Sequence, residues 1–405
     1  MKILIIHNSY QQPGGEDVVV GQEAELLRRN GHSVSIYKRS NDEIGGLSLV
    51  QRLGLIHRIV SADDSKRAVR GLLRELKPDV VHVHNTFAMV SPSVYEACND
   101  EGVPVVQTLH NYRLLCPAST FCRDGTPCEE CVTHGLLRSV RYGCYRDSRS
   151  MSGAIALMLQ MHRSRQTWST RIDAYIAISS FLRDKFVGAG FPAGKISVKP
   201  NFVDPDPGER SHPGDYALFL GRLSPEKGLL TLLEAWERVP REVPLVIAGD
   251  GPLRHRLETD AKRKGLRWVR FTGQLRRDEK FDAIKKAAFL VIPSIWYEPF
   301  GLVAAEAFAC GTPVVGAFVG AIQEMLSDQV TGLHFAPGDP DALAETVDWA
   351  WAHLPEMAAM GKAARRTYED RYTANTNYGL LMNIYASAIH THSRLEQNGP
   401  LPTAA

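Results

Sequence analysis

The chain alternates short, almost wholly apolar runs with longer stretches of helical spacing. In its first half the runs are Ile3–Ile6, Ser33–Tyr37, Val80–Val83, Val103–Leu109 and Ala174–Ile178. In its second half they are Tyr216–Leu220, Pro244–Ala248, Val269–Thr272, Phe289–Ile292 and Pro313–Gly316. Continuous β-branched runs predict strands buried on both faces, and therefore parallel sheets covered by helices on either side. Two such series predict an α/β chain of two doubly wound, Rossmann-like domains facing each other across a cleft. The stretch PNFVDPDPGERSHPGD, starting at Pro200, is proline-rich, lacks apolar periodicity and reads as a linker. The organisation expected is a first domain over 1–200, a linker over 201–214 and a second domain over 215–377. Helical spacing over 378–395 is expected to cross back to the first domain, and 396–405 reads as a flexible tail.

Composition narrows the function. A length of 405 residues accommodates two or three domains. Lys+Arg is 47 against Asp+Glu 45, a net charge of +2. That balance excludes a strongly basic nucleic-acid binder, and no nucleic-acid partner is expected. No run approaches the ~18 apolar residues of a membrane-spanning helix. The run Ile3–Ile6 is too short for a signal-peptide core, so a cytoplasmic location is expected.

Open parallel sheets bind ligands beyond the carboxyl ends of their strands, so the loops that follow the strands carry the chemistry. Gly14 and Gly15 precede a helix expected near Glu16–Asp17. Adjacent glycines admit close backbone approach, and a helix N-terminus favours phosphate. The loop is not the G-x-G-x-x-G dinucleotide fingerprint. His110, in TLHNYR, would project from the end of the fourth strand. Arg222 and Lys227, in GRLSPEKG, converge on a loop at a helix start and can neutralise a diphosphate. At FTGQL, Gly273 permits backbone contact with a nucleobase edge, with Leu275 beside it.

The most informative segment is PSIWYEPFGLVAAEAFACG. Pro299 suits a first helical turn, which would leave the amides of Phe300, Gly301 and Leu302 unpaired. Glu298 would then stand just ahead of the helix and Glu306 about two turns along, roughly 12 Å away along the axis. That is too far for a coupled acid/base dyad, but it suits two grips on one polyol-rich ligand. Val303, Ala304, Ala305, Ala307 and Phe308 make the rest of this helix apolar, so Glu306 should be partly buried and need a partner.

These motifs, with PGGED, IAISSFLRDKF, PNFVD and AGDGP, extend over nearly the whole chain, which resembles the family-4 glycosyltransferases of the GT-B fold. The Arg…Lys loop together with two glutamates separated by seven residues carries most of the resemblance. The resemblance implies retaining transfer of a sugar from a nucleotide-diphosphate donor, a UDP- or GDP-sugar, to a hydroxyl of a glycan or lipid-linked acceptor, in cell-surface polysaccharide synthesis. It implies that Arg222 and Lys227 bind the diphosphate and that Glu306 holds the ribose hydroxyls. It implies that Glu298 and the amides of Phe300, Gly301 and Leu302 hold the transferred sugar, with Gly14 and Gly15 close to the donor. His110 would hydrogen-bond the sugar at the reacting centre, and the base would rest near Gly273–Leu275. Similar enzymes need no divalent metal for catalysis. Asp204-Pro-Asp206 and Asp339-Pro-Asp341 fit a D-x-D pattern, but their central prolines suit turns or helix caps.

Two features fall outside this pattern. Five cysteines lie between 116 and 144. The spacing, and a cysteine-bearing subgroup that the segment resembles, imply a structural zinc ion on Cys116, Cys128, Cys131 and Cys144; free buried cysteines or disulfides are the alternatives. The segment 138–171 carries Arg138, Arg141, Arg146, Arg149, Arg163, Arg165 and Arg171 around the apolar run GAIALMLQM. It reads either as an ordinary packed helix or as a peripheral contact with the inner membrane. The competing functions are a nucleotide-sugar epimerase, a phosphorylase, which would need a pyridoxal lysine, or a non-catalytic nucleotide-sugar-binding protein.

Overall fold

The computed structural model describes residues 1–11, 14–44 and 55–398. It contains two compact units. The first comprises Met1–Thr120, Glu129–Lys199 and the chain from Asn377; the second comprises Phe121–Cys128 and Pro200–Thr376.

The first unit is built on a six-stranded, all-parallel sheet. Its strands are β1 (Lys2–Ser9), β2 (Ser33–Ser40), β3 (Val80–Asn85), β4 (Val105–Leu109), β7 (Ala174–Ala177) and β8 (Ile196–Val198), in the order β2-β1-β3-β4-β7-β8. Strand β1 pairs Ile3 with Val34 on one side and with Val80 on the other. The apolar runs are buried as their composition requires: Ile3, Leu4, Ile5 and Ile6 are all at most 1% exposed. Helix α1 (Gly15–Arg29) and the last helix, which starts at Ala374, pack on this sheet. Val20, Ala24 and Leu27 of α1 share one core cluster with Leu381, Ile384, Tyr385 and Ala388.

The second unit repeats the design. Strands β9 (Ala217–Leu220), β10 (Leu245–Ala248), β11 (Val269–Gly273), β12 (Phe289–Ile292), β13 (Val314–Ala317) and β14 (Gly332–Phe335) form a parallel sheet in the order β11-β10-β9-β12-β13-β14. The chain builds outward from β9 to β11, then returns to the other side of β9 with β12. The carboxyl ends of β9 and β12 therefore form the topological switch point, where a doubly wound sheet leaves a crevice.

The sequence pattern missed β8 and β14. Both are edge strands of three or four residues and each carries a polar side chain, Ser197 or His334, so neither presents a continuous apolar run. The stretch Phe121–Cys128, expected with the first domain, groups with the second unit. There it forms a small hairpin of β5 (Cys122–Arg123) and β6 (Thr126–Pro127). The last helix runs to Asn398, so most of the tail expected at 396–405 lies outside the described residues.

Candidate active site

In the second unit, two loops meet at the switch point. Arg222 leaves the end of β9, is exposed, and its side chain meets no hydrogen-bonding or charged partner among the described residues. After a turn at Pro225–Lys227, Gly228 adopts a left-handed conformation (φ +69°). A Cβ there would lie 1.7 Å from the carbonyl oxygen of Pro293. Only glycine lets these loops touch, and the Ile295 amide donates to the Glu226 carbonyl 3.1 Å away across the same junction.

That junction delivers Lys227 to Glu298. The Lys227 ammonium lies 2.8 and 3.0 Å from the two carboxylate oxygens of Glu298. Glu298 Oε2 also accepts from Trp296 Nε1 at 3.0 Å and from Ser294 Oγ at 3.1 Å, and the ammonium sits 5.4 Å from the Trp296 ring centre. The pair is only partly exposed, 23% for Lys227 and 12% for Glu298. A cation and an anion are thus held in reach of solvent, each able to exchange this contact for a ligand's charge or hydroxyl.

The helix after Glu298 differs from expectation. Pro299 does not open it. Gly301, left-handed at φ +92°, caps a helix spanning Leu302–Ala309. Phe300 and Gly301 therefore precede the helix, and Glu298 stands outside it, so the 12 Å helical spacing expected between Glu298 and Glu306 no longer follows. The amides of Phe300, Gly301, Leu302 and Val303 nevertheless donate no hydrogen bond among the described residues. They form a short row of free donors directly after the Lys227–Glu298 pair.

Glu306 is 5% exposed. Burial pushes its carboxyl up, and Lys280 opposes this with a 2.5 Å contact to Oε1. Lys280 is the partner a buried carboxylate requires, but its origin on the helix Arg277–Lys285 gave no sequence signal. Gly273 ends β11 at φ +76°, with the Arg254 guanidinium 3.2 Å from where a Cβ would be; Leu275 is half-buried two residues on. One carboxylate of each D-x-D pattern is engaged elsewhere. Asp339 caps the helix Pro340–Ala352 through the amides of Asp341 and Ala342, and Asp206 pairs with Arg365.

In the first unit, Gly14 is the N-cap of α1 and Gly15 its first residue. Space above the Gly14 backbone is open within 4 Å. Asp17 closes this turn, accepting from the Gly14 amide at 3.0 Å and contacting His7 Nε2 at 2.9 Å. These two contacts outweigh burial and lower its carboxyl. Glu16 behaves oppositely. Burial and the neighbouring Asp17 charge push it up to about 8. Its folded value thus lies above its ordinary value near 4.5. The stabilisation from keeping it protonated is complete below that ordinary value and is lost as pH rises through about 8. Glu16→Gln should therefore flatten the fall in stability between pH 5 and 8, read as the difference in urea midpoints between variant and parent. An unchanged slope would show that Glu16 is ionised in the folded protein.

His110 follows β4 and is partly exposed, with Nε2 2.9 Å from His84 Nδ1. Behind it lies a buried cluster that the sequence reading missed. His82 and His84, two residues apart on β3, face the same side of the sheet, where Glu23 of α1 reaches both, at 3.0 and 3.4 Å. Lys199 completes the cluster, 2.8 Å from Glu23 and 3.2 Å from Asn377. The available signal was VHVHN, histidine at every second position of an otherwise apolar strand. Beside His110, a cavity of about 30 Å³ is lined by Asn85, Gln107, Asn111 and Arg113 among others.

The cysteines divide. Cys116 and Cys131 are buried and Cys144 is half-buried in the first unit, whereas the half-buried Cys128 closes the hairpin that belongs to the second. In the segment 138–171, the helix Arg149–Ser164 turns Ala154, Ile155, Met158, Leu159 and His162 inward. Most of GAIALMLQM is therefore core, and the exposed large apolar side chains are Tyr142, Met151 and Leu157, with Leu137 just ahead of the segment.

Comparison with known proteins agrees with this architecture. Residues 13–207 match the model of Glycosyltransferase Family 4, and residues 204–367 match that of Glycosyl transferases group 1. An uncharacterized glycosyltransferase of Methanocaldococcus jannaschii is 34% identical over 403 residues, covering 92% of this chain and 94% of its own. A glycogen synthase of Mycobacterium tuberculosis is 32% identical over 329 residues, covering 78% and 71%. Among solved structures, the sucrose-phosphate synthase of Thermosynechococcus elongatus superposes with a TM-score of 0.70 at 20% identity, covering 98% of this chain and all of its own. Anabaena HepE in complex with UDP superposes with a TM-score of 0.67 at 20% identity over the same shares. With its two parallel-sheet units, its switch-point cation and carboxylate, and these matches along its length, the chain belongs to the glycosyltransferases of the GT-B fold.

Proposed function

We propose that this glycosyltransferase is a retaining hexosyltransferase. It moves a sugar from a UDP- or GDP-sugar to a hydroxyl of a glycan or lipid-linked acceptor, in cell-surface polysaccharide synthesis. The observation that carries this reading is the Lys227–Glu298 pair at the switch point, followed by the unpaired amides of Phe300 to Val303. As the bond from the anomeric carbon to the diphosphate breaks, negative charge grows on the phosphate oxygens. Fixed donors aimed at developing charge are the largest common source of rate enhancement. Lys227 and the unpartnered Arg222 supply positive charge there without a divalent metal. Glu298, already a multiple acceptor, holds sugar hydroxyls with the adjacent amides. Glu306 accepts from the ribose hydroxyls, and the base rests at Gly273 and Leu275. Gly14, whose backbone is open, and Gly15 approach the donor, and His110 hydrogen-bonds the transferred sugar.

The test is to offer UDP-, GDP- and ADP-sugars with glycan and polyprenyl-linked acceptors, and to read the anomeric configuration of the product by NMR. An inverted product would overturn the retaining assignment, and failure to bind any nucleotide sugar would overturn the reading as a whole. Glu306→Ala should raise the donor KM roughly tenfold to a hundredfold, the cost of losing a hydrogen bond to a charged group. It should leave kcat far less affected, measured by initial rates over donor concentration.

Two peripheral assignments accompany this reading. Cys116, Cys128, Cys131 and Cys144 bind a structural zinc ion, a reading supported by the C-x2-C spacing of Cys128 and Cys131; protein purified without added metal should contain stoichiometric zinc. Leu137, Tyr142, Met151 and Leu157, interspersed with Arg138, Arg141 and Arg149, contact an anionic inner-leaflet surface. Flotation with anionic but not neutral vesicles checks this contact.

A further inference from the structure

We propose that Glu23, which touches no substrate, is a positioning residue that sets the tautomer of His110 through His84, so that His110 presents Nδ1 as a hydrogen-bond acceptor. This rests on the reading above only for the role of His110; the relay itself is a property of the first unit.

Glu23 is 1% exposed, and Lys199, equally buried, lies 2.8 Å from its Oε2. Burial alone would raise the Glu23 carboxyl, but Lys199 and the two histidines outweigh it and hold it well below the usual carboxylate range. Glu23 is therefore ionised and can only accept. His84 Nε2 lies 3.4 Å from Glu23 Oε1, an electrostatic contact outside hydrogen-bond geometry, and meets no hydrogen-bonding partner among the described residues. A neutral imidazole carries one proton, and burial pulls His84 down to about 3, so it is neutral. Facing an acceptor-only oxygen, that proton belongs on Nε2, which leaves Nδ1 as a lone pair. His84 Nδ1 is 2.9 Å from His110 Nε2, and burial likewise keeps His110 neutral. His110 must donate from Nε2, and its remaining Nδ1, which meets no protein partner among the described residues, carries a lone pair. A ligand hydroxyl can donate to it. The stack of His110 on His84, with ring centres 5.2 Å apart and planes 24° apart, fixes the ring as well as the proton.

A metal ion is not the better reading of Glu23, His82 and His84, although their ligand atoms could share one. The Lys199 ammonium already occupies the cation position at this carboxylate.

Glu23→Gln discriminates sharply. Lys199 is donor-only, so it holds the amide oxygen of the glutamine, and the NH2 then faces His84 Nε2. Every proton in the relay moves by one place: His84 donates from Nδ1, His110 accepts at Nε2, and His110 Nδ1 becomes a donor. Protein with 15N-labelled histidine reports this directly, with His110 assigned by the resonance lost in His110→Ala. In the parent protein, His110 Nδ1 should be pyridine-like and Nε2 pyrrole-like; in Glu23→Gln the two should exchange. Turnover should fall roughly ten- to hundredfold, the cost of one mismatched hydrogen bond, with the donor KM little changed. A pyrrole-like Nδ1 in the parent, or the same tautomer in both proteins, would overturn the proposal. If Glu23→Gln does not fold, the parent spectrum alone decides it. Full turnover in His110→Ala would remove the catalytic role of His110 while leaving the relay standing, so the two failures are distinguishable.

Discussion

Lys227→Ala is expected to lower turnover by roughly 10²–10³-fold, the range seen when one preorganised donor is removed from developing negative charge. Lys227 is the charge delivered to the switch point by the Gly228–Pro293 contact, and among the described residues no other lysine shares its contact with Glu298. Folding should survive. The pair is partly exposed, and such pairs contribute about 0–1 kcal/mol; Glu298 keeps its bonds from Trp296 and Ser294. The variant should therefore melt close to the parent while losing transfer. Lys227→Arg should recover only part of the rate, because a planar fork does not reproduce a compact ammonium set between two carboxylate oxygens. Turnover near that of the parent in Lys227→Ala would overturn the diphosphate assignment.

Lys199→Ala should produce the largest loss of stability, about 3–5 kcal/mol, the cost of stranding one partner of a buried ion pair. In the parent, Glu23 is held below its ordinary value. It contributes stability that is present above that ordinary value and lost as pH falls through its folded value. Without Lys199, burial dominates and raises the carboxyl. The contribution then reverses: it is present at acid pH and lost as pH rises. The variant should accordingly be more destabilised at pH 8 than at pH 5, measured as paired urea midpoints. An equal deficit at both values would show that Lys199 stabilises by packing rather than by charge.

Most of the fold was legible because buried parallel strands advertise themselves as unbroken apolar runs; ten of the longer strands were marked that way, and the polar edge strands β8 and β14 were not. Within the candidate site, Arg222, Lys227, Glu298 and Glu306 were legible because charged residues stand out in glycine-rich loops. Lys280 was not, since a lysine on an amphipathic helix looks like any solvated lysine until Glu306 is seen beneath it. The start of the Leu302–Ala309 helix was misplaced because Pro299 is a good opener by composition, whereas the left-handed turn at Gly301 is decided by tertiary packing against Ile322. The Glu23 relay was the least legible, since it joins α1, β3, β4 and residues 199 and 377 across the whole sequence. Only the alternate histidines of VHVHN hinted that one sheet face was polar.

The last helix gives the two units different histories during synthesis. Leu381, Ile384 and Tyr385 sit in the core of the first unit beside Ile3, Ile5 and Val20, and Asn377 bonds the same lysine that leaves that unit at 199. The ribosome therefore completes the second unit, which ends at Thr376, before the first can close. The N-terminal half waits with an apolar sheet face uncovered until residues 381–388 emerge, the reverse of the usual N-terminal-first order.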